Sequence, residues 1–134
     1  MTESLELRLV KEFPSHFRDY KGDPFQTCMA FGCEHGDGWF TLFYELNKRI
    51  AFYLENINPN VKPDFYWTQV KEKFGTARWY YNGGDDIISD LVDYYENQTS
   101  YTCETCGDLG KLRGNGWFYT SCDDHAKPED RGEE

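Results

Sequence analysis

The spacing of four metal-binding residue types most constrains what this chain can fold into. Cys103 and Cys106 form a Cys-x2-Cys pair. Cys122 and His125 form a Cys-x2-His pair after 15 intervening residues. Two such pairs at this separation are typical of structural zinc sites, in which four protein side chains surround the ion and leave no position for substrate. The pattern therefore predicts one structural zinc ion held by these four side chains.

The residues between the two ligand pairs predict a small module built around that ion. Asn115-Gly116 favours a tight hairpin turn, and the segments Lys111-Leu112-Arg113 and Trp117-Phe118-Tyr119 flank it. Gly107 follows the first pair, where a backbone that curls around a metal often needs positive φ. A metal-binding turn, a hairpin and a ligand pair that opens a short helix together predict a treble-clef-like zinc module.

Hydrophobic periodicity predicts two amphipathic helices before the module. Apolar residues recur every three or four positions from Trp39 to Leu54, and Asn58-Pro59-Asn60 should end that helix. A second helix is predicted to bury Ile87, Ile88, Leu91, Val92 and Tyr95. Asp37 is the expected N-cap of the first helix, and Asp85 or Asp86 that of the second.

A β-hairpin is predicted between these helices. Residues 64–74 and 77–81 are rich in aromatic and β-branched side chains, and Gly75-Thr76 fits a tight turn between them. With that turn, Phe74 would face Ala77 and a largely apolar face would meet the helices. Near the N-terminus, residues 4–13 predict a short helix stopped by Pro14, although their alternation of Leu with charged residues also permits a strand.

These elements predict an α+β fold with a helix–β-hairpin–helix core followed by a treble-clef-like zinc module. The core should occupy residues 1–99 and the zinc module residues 100–127, packed on the core. Residues 128–134 should form a disordered acidic tail. No apolar run approaches the roughly 20 residues that span a bilayer, and the N-terminus lacks signal-peptide features. A cytoplasmic protein that does not enter a membrane is expected.

The charge of the chain is concentrated in its C-terminal part. The net charge is -10, and residues 83–134 contain 13 acidic and 4 basic residues. Such a segment repels phosphate and attracts basic surfaces. Nucleic acid is therefore not the expected partner, and a protein with a basic surface is. An acidic surface that only keeps the protein in solution is the alternative. The candidate contact residues are Asp85, Asp86, Asp90, Asp93, Glu96, Asp123 and Asp124.

Two further clusters permit other interpretations. One face of the predicted hairpin carries Lys71, Lys73, Arg78 and Tyr80, which could bind phosphates and stack on a base in a nucleic-acid-binding zinc-finger protein. Cys28, Cys33 and His35 could form part of a second metal site, but buried free thiols are the more common explanation. No phosphate loop, open metal position or paired catalytic residues are present in motif form, so no enzymatic activity is expected.

A set of short motifs is distributed along most of the chain: Phe13-Pro14-x-x-Phe17, Cys28-Met29, Gly36-Asp37-Gly38-Trp39, Val70-Lys71-Glu72-Lys73-Phe74-Gly75-Thr76, Arg78-Trp79-Tyr80, Glu96, Ser100, Thr102-Cys103-Glu104-x-Cys106-Gly107, Gly110, Arg113, Gly116-Trp117 and Thr120-x-Cys122-Asp123-x-His125-Ala126. Together these motifs resemble those of a family of small, mostly uncharacterised bacteriophage and prophage proteins. Relatives carry further cysteines near Cys28, where this chain has Ala30 and His35. The resemblance implies a phage accessory protein that acts in the bacterial host cytoplasm and binds a bacterial protein, with inhibition or redirection of a host or defence protein as the expected role.

Overall fold

The computed structural model describes residues 1–131, and these form a mixed α+β fold. The predicted fold class is therefore confirmed at this level, with helices and strands that mostly lie where the periodicity places them. No helix in the described part of the chain is long and apolar enough to cross a membrane. In chain order the elements are α1 (Glu3–Glu12), β1 (Cys33–Glu34), α2 (Phe40–Asn56), β2 (Tyr66–Lys73), β3 (Thr76–Asn82), α3 (Asp86–Thr99), β4 (Lys111–Arg113) and β5 (Tyr119–Ser121).

The core sheet has three strands in the order β1-β2-β3. The antiparallel β2–β3 pair is the predicted hairpin, whereas the short strand β1 pairs parallel to β2, with Cys33 opposite Val70. Two residues are too few for a periodicity signal, which is why the sequence does not predict β1. A register shift between Trp67 and Gln69 bends β2, so that both Trp67 and Val70 are buried.

The turn of this hairpin lies one residue earlier than predicted. Phe74 and Gly75 form it with φ of 56° and 88°, and Lys73 pairs with Thr76. Two positive φ values are what a type I′ turn requires, and that turn matches the twist of the strands. The pairing therefore moves by two residues, which preserves the faces of both strands because side chains alternate with period two. The predicted apolar face is retained, and Val70 now opposes Trp79.

Helix α2 supplies the centre of the core. Phe43, Leu46 and Ile50 are fully buried on its inner face. The Phe43 ring lies 5.0 Å from that of Trp67 and 4.7 Å from that of Trp79, measured between ring centroids. Buried aromatic contacts of this kind dominate the packing energy of a small core. The helix therefore packs directly on the apolar face of the hairpin, as predicted.

The helix termini differ in part from the predictions. Asp85 caps α3, since its carboxylate accepts a hydrogen bond from the Ile88 N–H at 3.0 Å. Asp37 does not cap α2. A 3-10 turn, Asp37–Trp39, precedes that helix, and the Asp37 carboxylate accepts instead from the Thr2 N–H at 2.6 Å. Residues 4–12 belong to helix α1 rather than to a strand, and Phe13 is its C-cap. Ile87 was placed on the buried side of α3 but is 50% exposed.

The C-terminal part contains the β4–β5 hairpin, in which Leu112 pairs with Thr120. A 3-10 turn, Asp123–His125, follows it. The disorder predicted for residues 128–134 does not describe the first of them, because Pro128–Asp130 forms another 3-10 turn. The Asp130 carboxylate accepts a hydrogen bond from the Tyr119 hydroxyl at 2.5 Å, which ties the turn to β5. Residues 132–134 of that predicted tail lie outside the described part of the chain.

Candidate metal centre

The four predicted ligands converge at one point of the structure. Their donor atoms all lie within 4.8 Å of one another. The Cys106 and Cys122 sulfurs are 3.7 Å apart, and His125 Nδ1 lies 3.2 Å from the Cys122 sulfur and 3.7 Å from that of Cys103. The arrangement is compatible with a metal ion bound by three sulfurs and one imidazole nitrogen.

Two of these distances are close to the edges of a tetrahedron around one ion, and the third is shorter. With metal–sulfur bonds of about 2.3 Å and a metal–nitrogen bond of about 2.0–2.1 Å, tetrahedral geometry separates two sulfurs by about 3.8 Å and a sulfur from the nitrogen by about 3.6 Å. A disulfide between Cys106 and Cys122 would instead need their sulfurs about 2.05 Å apart. The two sulfurs, 3.7 Å apart, are therefore free thiols whose spacing is compatible with a shared metal ion.

The backbone around the first pair has the form of a metal-binding turn. The Cys103 N–H donates to the Asp108 carbonyl at 2.7 Å, and the Gly107 N–H donates to the Cys103 carbonyl at 2.9 Å. Gly107 has φ of 86°, as the sequence led us to expect, because only glycine adopts this conformation without strain. The turn holds both sulfurs of the pair on one side of the chain.

The first of these thiols is prepared for ionisation. Burial alone would raise the pKa of Cys103, but the nearby backbone N–H groups of Cys122, Cys106 and Thr105 lower it to about 6. Since the thiolate is the form that binds a metal, these N–H groups favour ligation at neutral pH.

A buried arginine supports the second ligand pair. Arg113 on β4 donates from Nε to the Ser121 carbonyl at 3.1 Å and from a terminal nitrogen to the Asp123 carboxylate at 2.7 Å. Its other terminal nitrogen donates to the Asp130 carbonyl at 3.1 Å. The guanidinium thus fixes the residues that flank Cys122, and Asp123 has a structural partner rather than a free carboxylate.

The metal-binding turn docks on the core through two glycines that precede α2. The Gly38 N–H donates to the Glu104 carbonyl at 2.7 Å, and the Gly36 N–H donates to the Glu104 carboxylate at 2.8 Å. A Cβ at Gly38 would lie 2.6 Å from the Glu104 carbonyl carbon and closer still to the Cys103 carbonyl oxygen. No side chain fits there, so the two backbones meet because both positions are glycine.

Two further hydrogen bonds complete the contact between module and core. The indole N–H of buried Trp39 donates to the Thr102 carbonyl at 2.8 Å. The Thr120 hydroxyl on β5 donates to the Gly75 carbonyl at 2.6 Å, in the turn of the core hairpin. Residues on both sides of the metal site are therefore tied to two separate places on the core.

Sequence reasoning missed this docking role of Gly36, Gly38, Glu104 and Thr120. The available signal was Gly36-Asp37-Gly38-Trp39, in which two glycines stand immediately before a helix. Glycines at such a position indicate close approach of another backbone, but they do not identify the segment that approaches.

Cys28, Cys33 and His35 are not brought together as a metal site. Among residues 1–131, the cysteine–histidine cluster at the C-terminus is the one group arranged to hold an ion. Cys28 is exposed, whereas Cys33 is buried on β1. His35 is buried as well, with Nδ1 bonded to the Gly36 carbonyl and Nε2 accepting from the Trp79 indole at 3.1 Å. Both of its nitrogens are therefore used within the core.

The predicted acidic contact residues divide into two classes. Asp85 caps α3, Asp123 binds Arg113, and the Glu96 carboxylate accepts from the Trp79 N–H at 2.7 Å. These three are structural. The exposed remainder consists of Asp86, Asp90 and Asp93 on α3, together with Asp124 in the C-terminal part.

The predicted basic residues share one face of the core hairpin. Lys71 lies opposite Arg78 in the β2–β3 register, and Lys73 and Tyr80 are on the same side by alternation. Lys71, Lys73 and Tyr80 line a groove of about 460 Å³ on this face. Arg78 also lines a groove of about 570 Å³ between β3 and α3, together with Asp90, Asp93 and Glu96, so carboxylates lie beside one edge of the basic face.

Comparison of the chain with protein-family models, with curated proteins and with solved structures finds no match.

Proposed function

We propose that Cys103, Cys106, Cys122 and His125 hold one zinc ion in a treble-clef-like module. Three thiolates and an imidazole in tetrahedral arrangement suit zinc better than the harder ions that prefer oxygen ligands. The ion supplies cross-linking rather than catalysis, because the four side chains complete its coordination. Zinc binding to such sites contributes roughly 10–16 kcal/mol, which becomes folding free energy of the module.

We propose further that the chain is a phage accessory protein without enzymatic activity, which binds a bacterial protein in the host cytoplasm and inhibits or redirects it. The observation that carries this proposal is the exposed acidic ridge formed by Asp86, Asp90 and Asp93 on α3. Among the described residues, none of the three is in an ion pair. A row of carboxylates without ion pairs, beside a groove in which Arg78 faces three acids, favours a basic partner.

The same charges favour a protein over nucleic acid as the partner. Phosphate backbones carry the charge sign that this surface repels, and Arg78 lines the same groove as Asp90, Asp93 and Glu96. A basic protein surface would gain favourable long-range attraction and rapid association, both of which weaken as salt is added. Imitation of DNA is one way in which such a surface could engage a host protein.

The proposal is tested by capture of partners from bacterial lysate with the tagged, zinc-loaded chain, with and without nuclease. We expect a stoichiometric bacterial protein that survives nuclease and is lost from the variant Asp86→Asn/Asp90→Asn/Asp93→Asn. The matched control is Glu3→Gln/Glu34→Gln/Glu45→Gln, which removes three exposed charges elsewhere and should retain the partner. Loss of every partner on nuclease treatment would reject the acidic surface in favour of nucleic-acid binding.

A further inference from the structure

Large apolar side chains are exposed where the two hairpins meet. Phe74 in the turn of the core hairpin is 64% exposed, and Trp117 in the loop between β4 and β5 is 75% exposed. With Phe118 they line a cleft of about 280 Å³, bordered by Glu72 and Lys73. We call this feature the aromatic cleft. Exposed aromatic side chains gathered in this way are typical of interaction sites, whereas isolated ones are ordinary.

The wall of the aromatic cleft that carries Phe74 is held in place before any partner binds. The Gly75 N–H donates to the Glu72 carboxylate at 2.8 Å, and the Thr120 hydroxyl donates to the Gly75 carbonyl at 2.6 Å. A Cβ at Gly75 would lie 2.5 Å from Leu112 on β4, so the two hairpins are in close contact. A binding site built on such fixed elements loses little conformational entropy when it is occupied.

The backbone of Phe74 indicates that this aromatic side chain is not there for stability. Its φ of 56° is unfavourable for a bulky residue, and asparagine or glycine is preferred at this position of a type I′ turn. The exposed ring gains little from burial in return. Residues held in unfavourable conformations and exposed to solvent occur preferentially at functional sites.

The size of the cleft and the charge of the molecule bear on the choice of occupant. A volume of about 280 Å³ accommodates one large side chain. A second copy of the chain would bring together two molecules that each carry a net charge of -10. Glu72 and Lys73 border the cleft with opposite charges, so it is the net charge of the whole chain that attracts a partner with basic flanking residues.

We propose that the aromatic cleft receives one aromatic or large aliphatic side chain from a protein partner, in a segment with lysine or arginine beside that anchor. The proposal deepens the protein-binding function proposed above and rests on it for the class of partner. In this arrangement Trp117 and Phe74 provide most of the affinity, while the acidic surface provides attraction over distance.

The probe for this test is a phage-displayed library of random twelve-residue peptides, selected on the immobilised zinc-loaded chain. We expect enriched peptides that share one aromatic or aliphatic anchor next to lysine or arginine. Their affinity should fall by about tenfold or more in Trp117→Ala, as for a central hot-spot residue. In the control Phe25→Ala, which removes a ring that is 94% exposed, affinity should be unchanged.

A second variant separates binding from folding. Phe74→Asn suits the left-handed backbone and should raise the melting temperature by about 2–5 °C, while peptide affinity falls. Absence of enriched peptides, peptides without an apolar anchor, or binding that survives Trp117→Ala would overturn the proposal. So would self-association in sedimentation experiments that Trp117→Ala abolishes, because the occupant would then be a second copy.

The two binding proposals fail differently. If peptides bind the cleft while the captured bacterial protein is unaffected by the Asp86→Asn/Asp90→Asn/Asp93→Asn variant, the acidic ridge is rejected and the cleft stands. If that protein depends on the ridge but is retained by Trp117→Ala, and no peptide is enriched, the cleft is rejected and the ridge stands.

Discussion

Gly36 and Gly38 position the metal module through the absence of side chains. Their N–H groups both donate to Glu104, and the space that a Cβ at either would need is filled by the backbone of residues 103 and 104. This contact joins the turn that carries two ligands to the start of α2. At the residue scale, the site thus depends on positions that do not themselves bind the ion.

The substitution Gly38→Ala should therefore destabilise the protein by about 3 kcal/mol, the upper end for overpacking, since the clash involves backbone that cannot rotate away. Denaturant unfolding measures the loss, and hydrogen exchange at the Gly36 amide reports docking. The control Gly116→Ala adds the same methyl group where no neighbouring atom lies within 4 Å, so its cost comes from a φ of 99° and not from a clash. It should leave that amide protected, and equal protection in both variants would contradict the docking role.

His35 predicts a pH dependence of stability. Burial lowers the pKa of His35 from its ordinary 6.5 to about 4, and a proton on Nε2 would face the N–H of Trp79. The unfolded chain therefore binds more protons between these values, so stability is fully present above pH 6.5 and is lost as pH falls towards 4. The loss attributable to His35 is up to about 3 kcal/mol.

The measurement compares the wild type with His35→Gln in denaturant unfolding at pH 7.5, 6.0 and 4.5. Any loss of metal at low pH affects both proteins. The difference between their slopes of unfolding free energy against pH therefore measures the contribution of His35 alone. A steeper fall in the wild type is expected. Parallel curves would show that the buried imidazole does not resist protonation.

At the scale of elements, the start of α3 offers a matched pair of neighbouring carboxylates. Asp85 accepts hydrogen bonds from the Ile88 N–H and from the side chains of Tyr53 and Asn58, whereas Asp86 is exposed. Asp85→Ala should cost about 1–2 kcal/mol, as loss of an N-cap does. Asp86→Ala should cost only about a few tenths of a kcal/mol, because the variant loses no more than the interaction of the carboxylate with the helix dipole. Thermal unfolding of the two variants measures both losses of stability. Equal losses would show that Asp85 is not the effective cap.

The sequence predicts α2, α3, the core hairpin and the ligand set because each leaves a local signal: periodicity, an N-cap or ligand spacing. It misplaces the hairpin turn because Phe74 is an unusual residue for positive φ, and Gly75-Thr76 is the more ordinary reading. Strand β1 and the docking of Glu104 on Gly36 leave no local signal at all. Both depend on segments distant in the chain, which periodicity and spacing do not connect.

At the scale of the whole molecule, the metal module and the core are mechanically linked at two places. Glu104 binds the segment before α2, and Thr120 binds the turn at Gly75. Loss of the metal should therefore loosen specific parts of the core. After chelation we expect faster hydrogen exchange at the Gly36 and Gly38 amides, but continued protection at Leu46 and Ile50 in the centre of α2. Unchanged exchange at the two glycines would show that docking does not need the metal.

The most direct test of the account is metal analysis of the purified chain by native mass spectrometry, before and after treatment with a chelator. We expect one zinc ion per chain, loss of that ion in Cys106→Ser, and unfolding of residues 100–127 when zinc is removed from the wild type. A chain that is purified without metal, or that keeps the β4–β5 hairpin folded in excess chelator, would contradict it.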